Sequence, residues 1–189
     1  QGRDACIKGV TRAHILDADI DGVMPAEIFS ELGSGTMIYR NNYGDFRTMT
    51  KDDIAGVLSL MNPFVEEGIL LQRTSEELEQ QVQDFVVYEI DGGIRACGAL
   101  HAYPEGLGEI AGIAVDEAYA HMGIGPKLMD LLIDRAKKAD FSKIFVLTTK
   151  TADWFERFGF KSTNISEMPP KRREKWTEKR GSKILIRSL

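Results

Sequence analysis

The residues with the clearest chemical meaning are Ile113-Ala114-Val115 and, shortly after, Ala120-His121-Met122-Gly123-Ile124-Gly125, which opens a helical repeat. A strand that runs into glycines at a helix start leaves backbone N–H groups unpaired at the positive end of the helix dipole. That arrangement suits a phosphate ester. Glycine matters there because a Cβ would hold the anion away. The pattern is not that of a nucleoside triphosphate loop, for no Gly-Lys-Ser/Thr follows. Nor is it a dinucleotide fingerprint, which needs a third glycine and an acidic residue about twenty positions on. Taken alone, a Gly-x-Gly before a helix is equally compatible with an ordinary tight turn. Metal chemistry has little to draw on: there are three histidines, and Cys6 and Cys97 stand far apart without ligand spacing.

Charge is unevenly spread. The net charge is −5, yet Lys171 to Lys183 holds seven basic residues against two glutamates, so the remainder is clearly acidic. Such a run serves nucleic acid, an anionic small molecule or plain solvation. The acidic balance elsewhere speaks against a nucleic-acid partner. No run of eighteen apolar residues and no basic-then-apolar leader occurs, so no membrane association is expected, and the separated cysteines fit a reducing, cytoplasmic setting. A chain of 189 residues accommodates one domain with a short appendage. Its opening on Gln1 reads as processing or as part of something longer.

The elements that must position the glycines follow from periodicity. Ile54, Val57, Leu58 and Met61 predict a helix over 51–61 that stops before Pro63. Thr74 and Glu77 form a capping box for a second helix, its apolar stripe continuing through Leu78, Val82 and Phe85. Runs at 85–90 and 94–101 flank Asp91-Gly92-Gly93 and read as an antiparallel hairpin. A strand over 109–115 precedes a helix over 123–139, where Pro126 is tolerated in the first turn. Then come a strand over 143–149, a short helix over 152–158 closed by Gly159, and a last strand over 182–187. From residue 46 the order is helix, helix, three strands, helix, strand, helix, strand and a final strand, a mixed α/β layer pattern. Residues 1–40 fit it poorly. They hold a strand-like 13–16, a helical 24–32 and Gly33-Ser34-Gly35, and they read as a separate segment joined through 39–45, with the second domain at 41–189.

Ile113-Ala114-Val115, Gly123-Ile124-Gly125 and Trp154-Phe155 through Gly159-Phe160 resemble the successive motifs of the GNAT superfamily. The resemblance implies an α/β (α+β) acyl-CoA N-acyltransferase fold, a mixed, mostly antiparallel sheet flanked by helices. It also implies acetyl-CoA as co-substrate and no metal. The backbone of Ile113, Ala114 and Val115 would hold the pantetheine arm, and His121, Met122, Gly123, Ile124 and Gly125 the pyrophosphate. Two positions depart from the pattern. Ala120 stands where the family usually has Arg or Gln, leaving His121 or Lys127 to substitute, or coenzyme affinity lower. Phe155 stands where many members carry a tyrosine acid.

Within that superfamily the chain is similar to the N-acetylglutamate synthases of arginine biosynthesis. The likeness is carried by the stretches at 68–74, 108–111 and 182–185, and above all by Val146-Leu147-Thr148-Thr149-Lys150-Thr151-Ala152-Asp153-Trp154-Phe155. Residues 9–16, 27–29 and 33–38 resemble the end of the amino-acid kinase domain that precedes the acetyltransferase domain in these proteins, and 31–36 resemble part of its arginine site. The rest of a kinase-like domain lies outside this sequence, so control by arginine is not expected. A homo-oligomer or association with a kinase-like domain is the partner the likeness implies.

The likeness implies transfer of acetyl from acetyl-CoA to the α-amino group of L-glutamate. Glu109 would be the base and Thr148 the donor or relay of a proton to the thiolate. Arg73 and Arg180 would grip the two carboxylates, since a guanidinium pairs bidentately with each, with Ser182 as a nearby hydroxyl. Each has a plainer use: a solvated edge carboxylate, strand packing, surface arginines. Two other readings stay open, a GNAT enzyme for another small amine or a protein N-terminus, and a non-catalytic CoA-binding module. His101 and His121 read as hydrogen-bonding residues, Trp154 and Phe155 as core.

Overall fold

A computed structural model describes residues 1–30, 33–40, 44–177 and 180–189. The chain divides into Gln1–Asp45 and Phe46–Leu189. The expected boundary at 40/41 falls a few residues short of this division, which comes at the head of a strand whose alternation is too short to read in sequence.

The first unit holds helix α1 (Gly2–Ile7), strand β1 (Arg12–Ile15), helix α2 (Val23–Phe29) and strand β2 (Thr36–Tyr39). β1 and β2 pair antiparallel, with Ala13 opposite Ile38. The helix expected over 24–32 ends at Phe29, because Ser30 turns to an extended conformation. The glycine stretch closes on Glu27, whose carboxylate accepts from Ser34 N (2.6 Å) and Gly35 N (2.8 Å). Of the 31–36 stretch, Glu31 and Leu32 lie outside the described residues.

The second unit is built on a sheet of seven strands. Strand β3 (Asp45–Thr48) leads into helix α3 (Ile54–Glu66) and helix α4 (Ser75–Gln80), then strands β4 (Phe85–Ile90), β5 (Gly93–Tyr103) and β6 (Leu107–Val115). Helix α5 (Ile124–Lys138), strand β7 (Lys143–Thr148), helix α6 (Ala152–Glu156), strand β8 (Lys161–Thr163), helix α7 (Pro170–Arg173) and strand β9 (Lys183–Ser188) complete it. The strand order is β3-β4-β5-β6-β7-β9-β8, and β6 with β7 is a parallel pair among antiparallel neighbours.

Alternation along β5 places a helix on each face. Cys97 and Ala99 join Val57 and Met61 of α3 in one core cluster. A Cβ on the intervening Gly98 would meet Leu132 and Leu128 of α5 at 3.1 and 3.3 Å. The hairpin forms as predicted, with Asp91 and Gly92 at positive φ (50° and 78°), the twist a two-residue turn requires.

Two expectations fail locally. α3 runs through Pro63 to Glu66: the proline removes one donor in the last turn, but its carbonyl still accepts from Glu67 N at 3.1 Å and the turn closes. The Thr74/Glu77 capping box is present, yet α4 stops at Gln80 and Phe85 opens β4. Phe85 is apolar for the core, not for a helical stripe.

Two irregularities matter for function. Cys97 faces Ala114 and Ala99 faces Ala111, so Gly98 alone opposes Gly112 and Ile113, and Gly112 has φ +62°. This bulge bends β6. The pairing of β6 with β7 ends at Glu109 opposite Phe145. Beyond it the two strands separate, and β6 presents an edge of unpaired backbone.

Candidate active site

The separation of β6 from β7 opens a cleft of about 490 Å³ lined by Ile113, Val115, Ala120, Gly125, Thr148 and Trp154, among others. Its floor is an exposed strand edge, which an extended ligand bearing amides can pair with. At its end lies the start of α5, capped by Gly123 at φ +66°. The first-turn N–H groups of Ile124 and Gly125 have no intrahelical acceptor, and Pro126 has no N–H. Ala114 and Ile124 turn their side chains into the core, so only their backbone is available to the cleft. A Cβ on Gly125 would sit 3.6 Å from Trp154 and 3.7 Å from Val115, narrowing the cleft. The expected open glycine loop is instead a 3-10 turn, Glu117–Met122, tied by Asp116, which accepts from Ala118 N. His121 is exposed and Met122 half-buried on that turn, and Ala120 brings only a methyl group to the wall.

A second, smaller cavity of about 130 Å³ adjoins the first, the two sharing Ile69, Leu70, Ala111, Gly112 and Leu147. Its polar walls are Arg73, Glu109, Arg172, Lys175, Arg180 and Ser182. Four separate segments thus supply these polar walls: the approach to α4, β6, α7 with the turn after it, and the lead into β9.

Glu109 is 4% exposed and fully engaged on one side. Arg172 Nε donates to both of its oxygens at 2.9 Å, and the Tyr103 hydroxyl donates to Oε2 at 2.9 Å. These contacts take three of the carboxylate's roughly four acceptor sites and leave one on Oε1. Burial and the Glu109 charge push the Tyr103 phenol well above its ordinary value, so it is a donor and not a second base. Neither Arg172 nor Tyr103 carries a sequence signal for a site role of its own. Arg172 lay inside a basic run that permits an anionic ligand, but nothing in the run's spacing singles it out.

Arg73 lies against Phe85, 5.2 Å from the ring centroid, donates to Gln81 Oε1 and approaches His101 Nε2 at 3.5 Å. His101 Nδ1 is in turn 2.7 Å from Asp84, so this histidine braces Arg73 and does not line the pocket. Burial lowers Arg73 from its ordinary value, offset in part by Glu109. Arg180 donates from Nη2 to Ile69 O at 3.0 Å, and burial with the nearby Arg172 charge lowers it too. A guanidinium remains charged through such shifts. Among the described residues neither Arg73 nor Arg180 forms an ion pair, and Arg180 Nε is buried without a hydrogen-bond partner. The pocket therefore contains one neutralised pair and two part-buried guanidinium groups without an ion-pair partner, and the exposed Lys175 adds a third positive charge at its wall. Ser182 is buried beside them.

Thr148 stands at the end of β7 on the cleft side. Its Oγ1 accepts from Thr151 N at 3.1 Å and lies 2.8 Å from Thr151 Oγ1. Phe155 is buried and Trp154 half-buried, both lining the cleft. Among the described residues no cluster suited to a metal ion occurs, and no helix is long and apolar enough to cross a membrane.

Residues 54–160 match the model of the acetyltransferase (GNAT) family. The chain belongs to that family. Its mixed sheet, with the parallel pair opening at the cleft, is the GNAT fold. This GNAT chain is 37% identical over 187 residues to an amino-acid acetyltransferase of Mannheimia succiniciproducens, covering 98% of its own length and 43% of the relative's. It also superposes on N-acetylglutamate synthase from Neisseria gonorrhoeae. The complex of that protein with coenzyme A and N-acetyl-glutamate gives a TM-score of 0.75 at 36% identity, covering 98% of this chain and 44% of the other. The complex with coenzyme A and L-arginine gives 0.83 at 35% identity, covering 98% and 42%. The GNAT chain thus spans less than half the length of these relatives.

Proposed function

We propose that the chain transfers acetyl from acetyl-CoA to the α-amino group of L-glutamate, giving N-acetylglutamate and CoA. The observation that carries this reading is the charge count of the smaller pocket. Arg172 offsets Glu109, Arg73 and Arg180 are left as two part-buried guanidinium groups for the two carboxylates of one acceptor, and Lys175, exposed at the wall, adds to the positive surplus. Likeness to an amino-acid acetyltransferase and to a synthase solved with coenzyme A and N-acetyl-glutamate supports it.

In this reading the pantetheine arm pairs with the bare edge of β6 at Ile113, Ala114 and Val115. The diphosphate meets the N–H groups of Ile124 and Gly125 beside the Gly123 cap, whose own N–H donates to Ala120 O, with His121 and Met122 at the rim. Arg73 and Arg180 hold the acceptor, with Ser182 adding a hydroxyl. Glu109 takes a proton from the ammonium, directly or through water, at its remaining acceptor site. The amine nitrogen then forms its bond to the acetyl carbon, and the C–S electron pair leaves with sulfur. A β6 backbone N–H steadies the developing oxyanion without reorganising. Thr148 hands a proton to the thiolate. The first unit is read here as the end of an amino-acid kinase-like domain, since the chain aligns over nearly its whole length with relatives more than twice as long.

The test is one acetyl-transfer assay with glutamate, glutamine, aspartate and ornithine side by side. Glutamate is expected to react fastest, because a dicarboxylate offers a partner to each guanidinium group and glutamine and ornithine do not. Faster turnover with glutamine or ornithine would overturn the assignment of the acceptor.

A further inference from the structure

Thr151 forgoes the role its position offers. It is the N-cap residue of α6, where a threonine oxygen ordinarily accepts from a first-turn N–H, yet its side chain makes no cap bond. Its hydroxyl instead lies 2.8 Å from that of Thr148. Thr148 is 7% exposed and Thr151 is exposed, and both line the coenzyme cleft. The pair is therefore a short polar path from a buried point beside the cleft to open water.

A lone hydroxyl is a poor acid, because giving its proton to a thiolate leaves an alkoxide that is far more basic than the thiolate itself. Two linked hydroxyls ending in water avoid that species. We propose that Thr151 is the outer half of a two-hydroxyl relay that carries a proton from cleft water through Thr148 to the departing thiolate. The proposal rests on the cleft being an acyl-CoA site.

The step balances. As the C–S bond breaks, sulfur keeps the pair and gains the Thr148 hydroxyl proton. Thr148 Oγ1 takes the Thr151 hydroxyl proton, and Thr151 Oγ1 takes one from cleft water as that water receives the second proton, shed by nitrogen when the tetrahedral intermediate collapses, so that no free hydroxide is left. The first proton, which Glu109 removed from the ammonium and releases to solvent, is the net proton of the reaction. The inventory of Thr148 also closes: it donates once, to sulfur, and accepts twice, from the Thr151 amide and hydroxyl, which is its full capacity. Facing inward as relay donor, the Thr151 hydroxyl accepts from water on its outer side.

The test compares wild type with Thr151→Val, Thr151→Ala and Thr151→Ser in single-turnover transfer from acetyl-CoA to glutamate, in water and in deuterium oxide, alongside calorimetric CoA affinity. Loss of the outer hydroxyl is expected to slow transfer by about tenfold or more. Serine should restore the rate, CoA affinity should stay within about twofold of wild type, and the solvent isotope effect should change in the valine and alanine variants alone. Unchanged rates, or a slower rate with an unchanged isotope effect, would overturn the relay. So would a loss expressed only in CoA affinity. Wild type that neither binds CoA nor transfers acetyl to any amine would instead overturn the acyl-CoA reading beneath it.

Discussion

The larger cleft and the smaller pocket touch along Ala111, Gly112 and Leu147, yet they are built in opposite ways. The cleft is made by backbone: a bulge at Gly112–Ile113, a strand pair that ends at Glu109, and the first turn of α5. Its side chains are mostly apolar filler. The pocket is made by charged side chains brought from distant positions, of which only Glu109 and Arg172 pair with each other. A region built from topology tolerates substitution at individual residues. A region built from charged groups does not, because deleting one partner leaves the others buried and unpaired.

Glu109→Gln breaks the contrast most sharply. The amide oxygen in the place of Oε2 still accepts from Arg172 and Tyr103, while the NH2 in the place of Oε1 cannot, so Arg172 loses its counter-charge and the proposed base is gone. Acetyl transfer should fall by about a hundredfold or more while calorimetric CoA affinity is unchanged. Comparable loss of CoA affinity would mean that the two regions are not separable. Next in size is Arg73→Ala or Arg180→Ala. Each removes a charge-assisted bond of about 1.5–3 kcal/mol, so the KM for glutamate should rise roughly 10- to 150-fold with the KM for acetyl-CoA unaffected. Equal effects on both substrates would place these arginines outside acceptor binding.

The same contrast explains what was legible in the sequence. The cleft announced itself because backbone features have local signatures: Gly123 and Gly125 before a helical repeat, Asp91-Gly92 in a hairpin, Thr74 and Glu77 as a capping box. The pocket did not. Arg73, Glu109, Arg180 and Ser182 stand out only through likeness to a family, and Arg172, whose guanidinium touches both oxygens of Glu109, is indistinguishable from its neighbours in the basic run. It sits on a helix of four residues, too short for periodicity to show which way a side chain points. Pro63 and Phe85 misled for a related reason. A proline in a last turn and an apolar residue at a helix-to-strand switch mean different things depending on tertiary contacts that no window of sequence contains. The bulge at Gly112 was invisible too, since two residues facing one is a property of pairing between strands.

Gly112 tests whether the boundary is shared. At φ +62° an alanine there is strained by about 1–2 kcal/mol, and its Cβ would come within 3.4 Å of Phe85 and 3.7 Å of the Arg73 guanidinium. Gly112→Ala should therefore lower the urea midpoint and, alone among these changes, weaken both CoA and glutamate. An effect on one ligand only would move the bulge to that side.

The smallest change concerns the one place where the cleft lacks a side-chain donor. Ala120 is exposed on the cleft wall, before the N-terminus of α5. Ala120→Arg supplies a guanidinium near the expected diphosphate, but an exposed charge pair is worth only about 0.2–1 kcal/mol, so CoA affinity should rise by no more than about fivefold. The gain should shrink as salt is raised, because screening acts on exposed charges and spares the backbone N–H groups of the first turn. A cleft that owes its affinity to backbone has little to gain from one more side chain. A tenfold or larger improvement would show that side chains set coenzyme affinity after all, and that the two regions differ less than their construction implies.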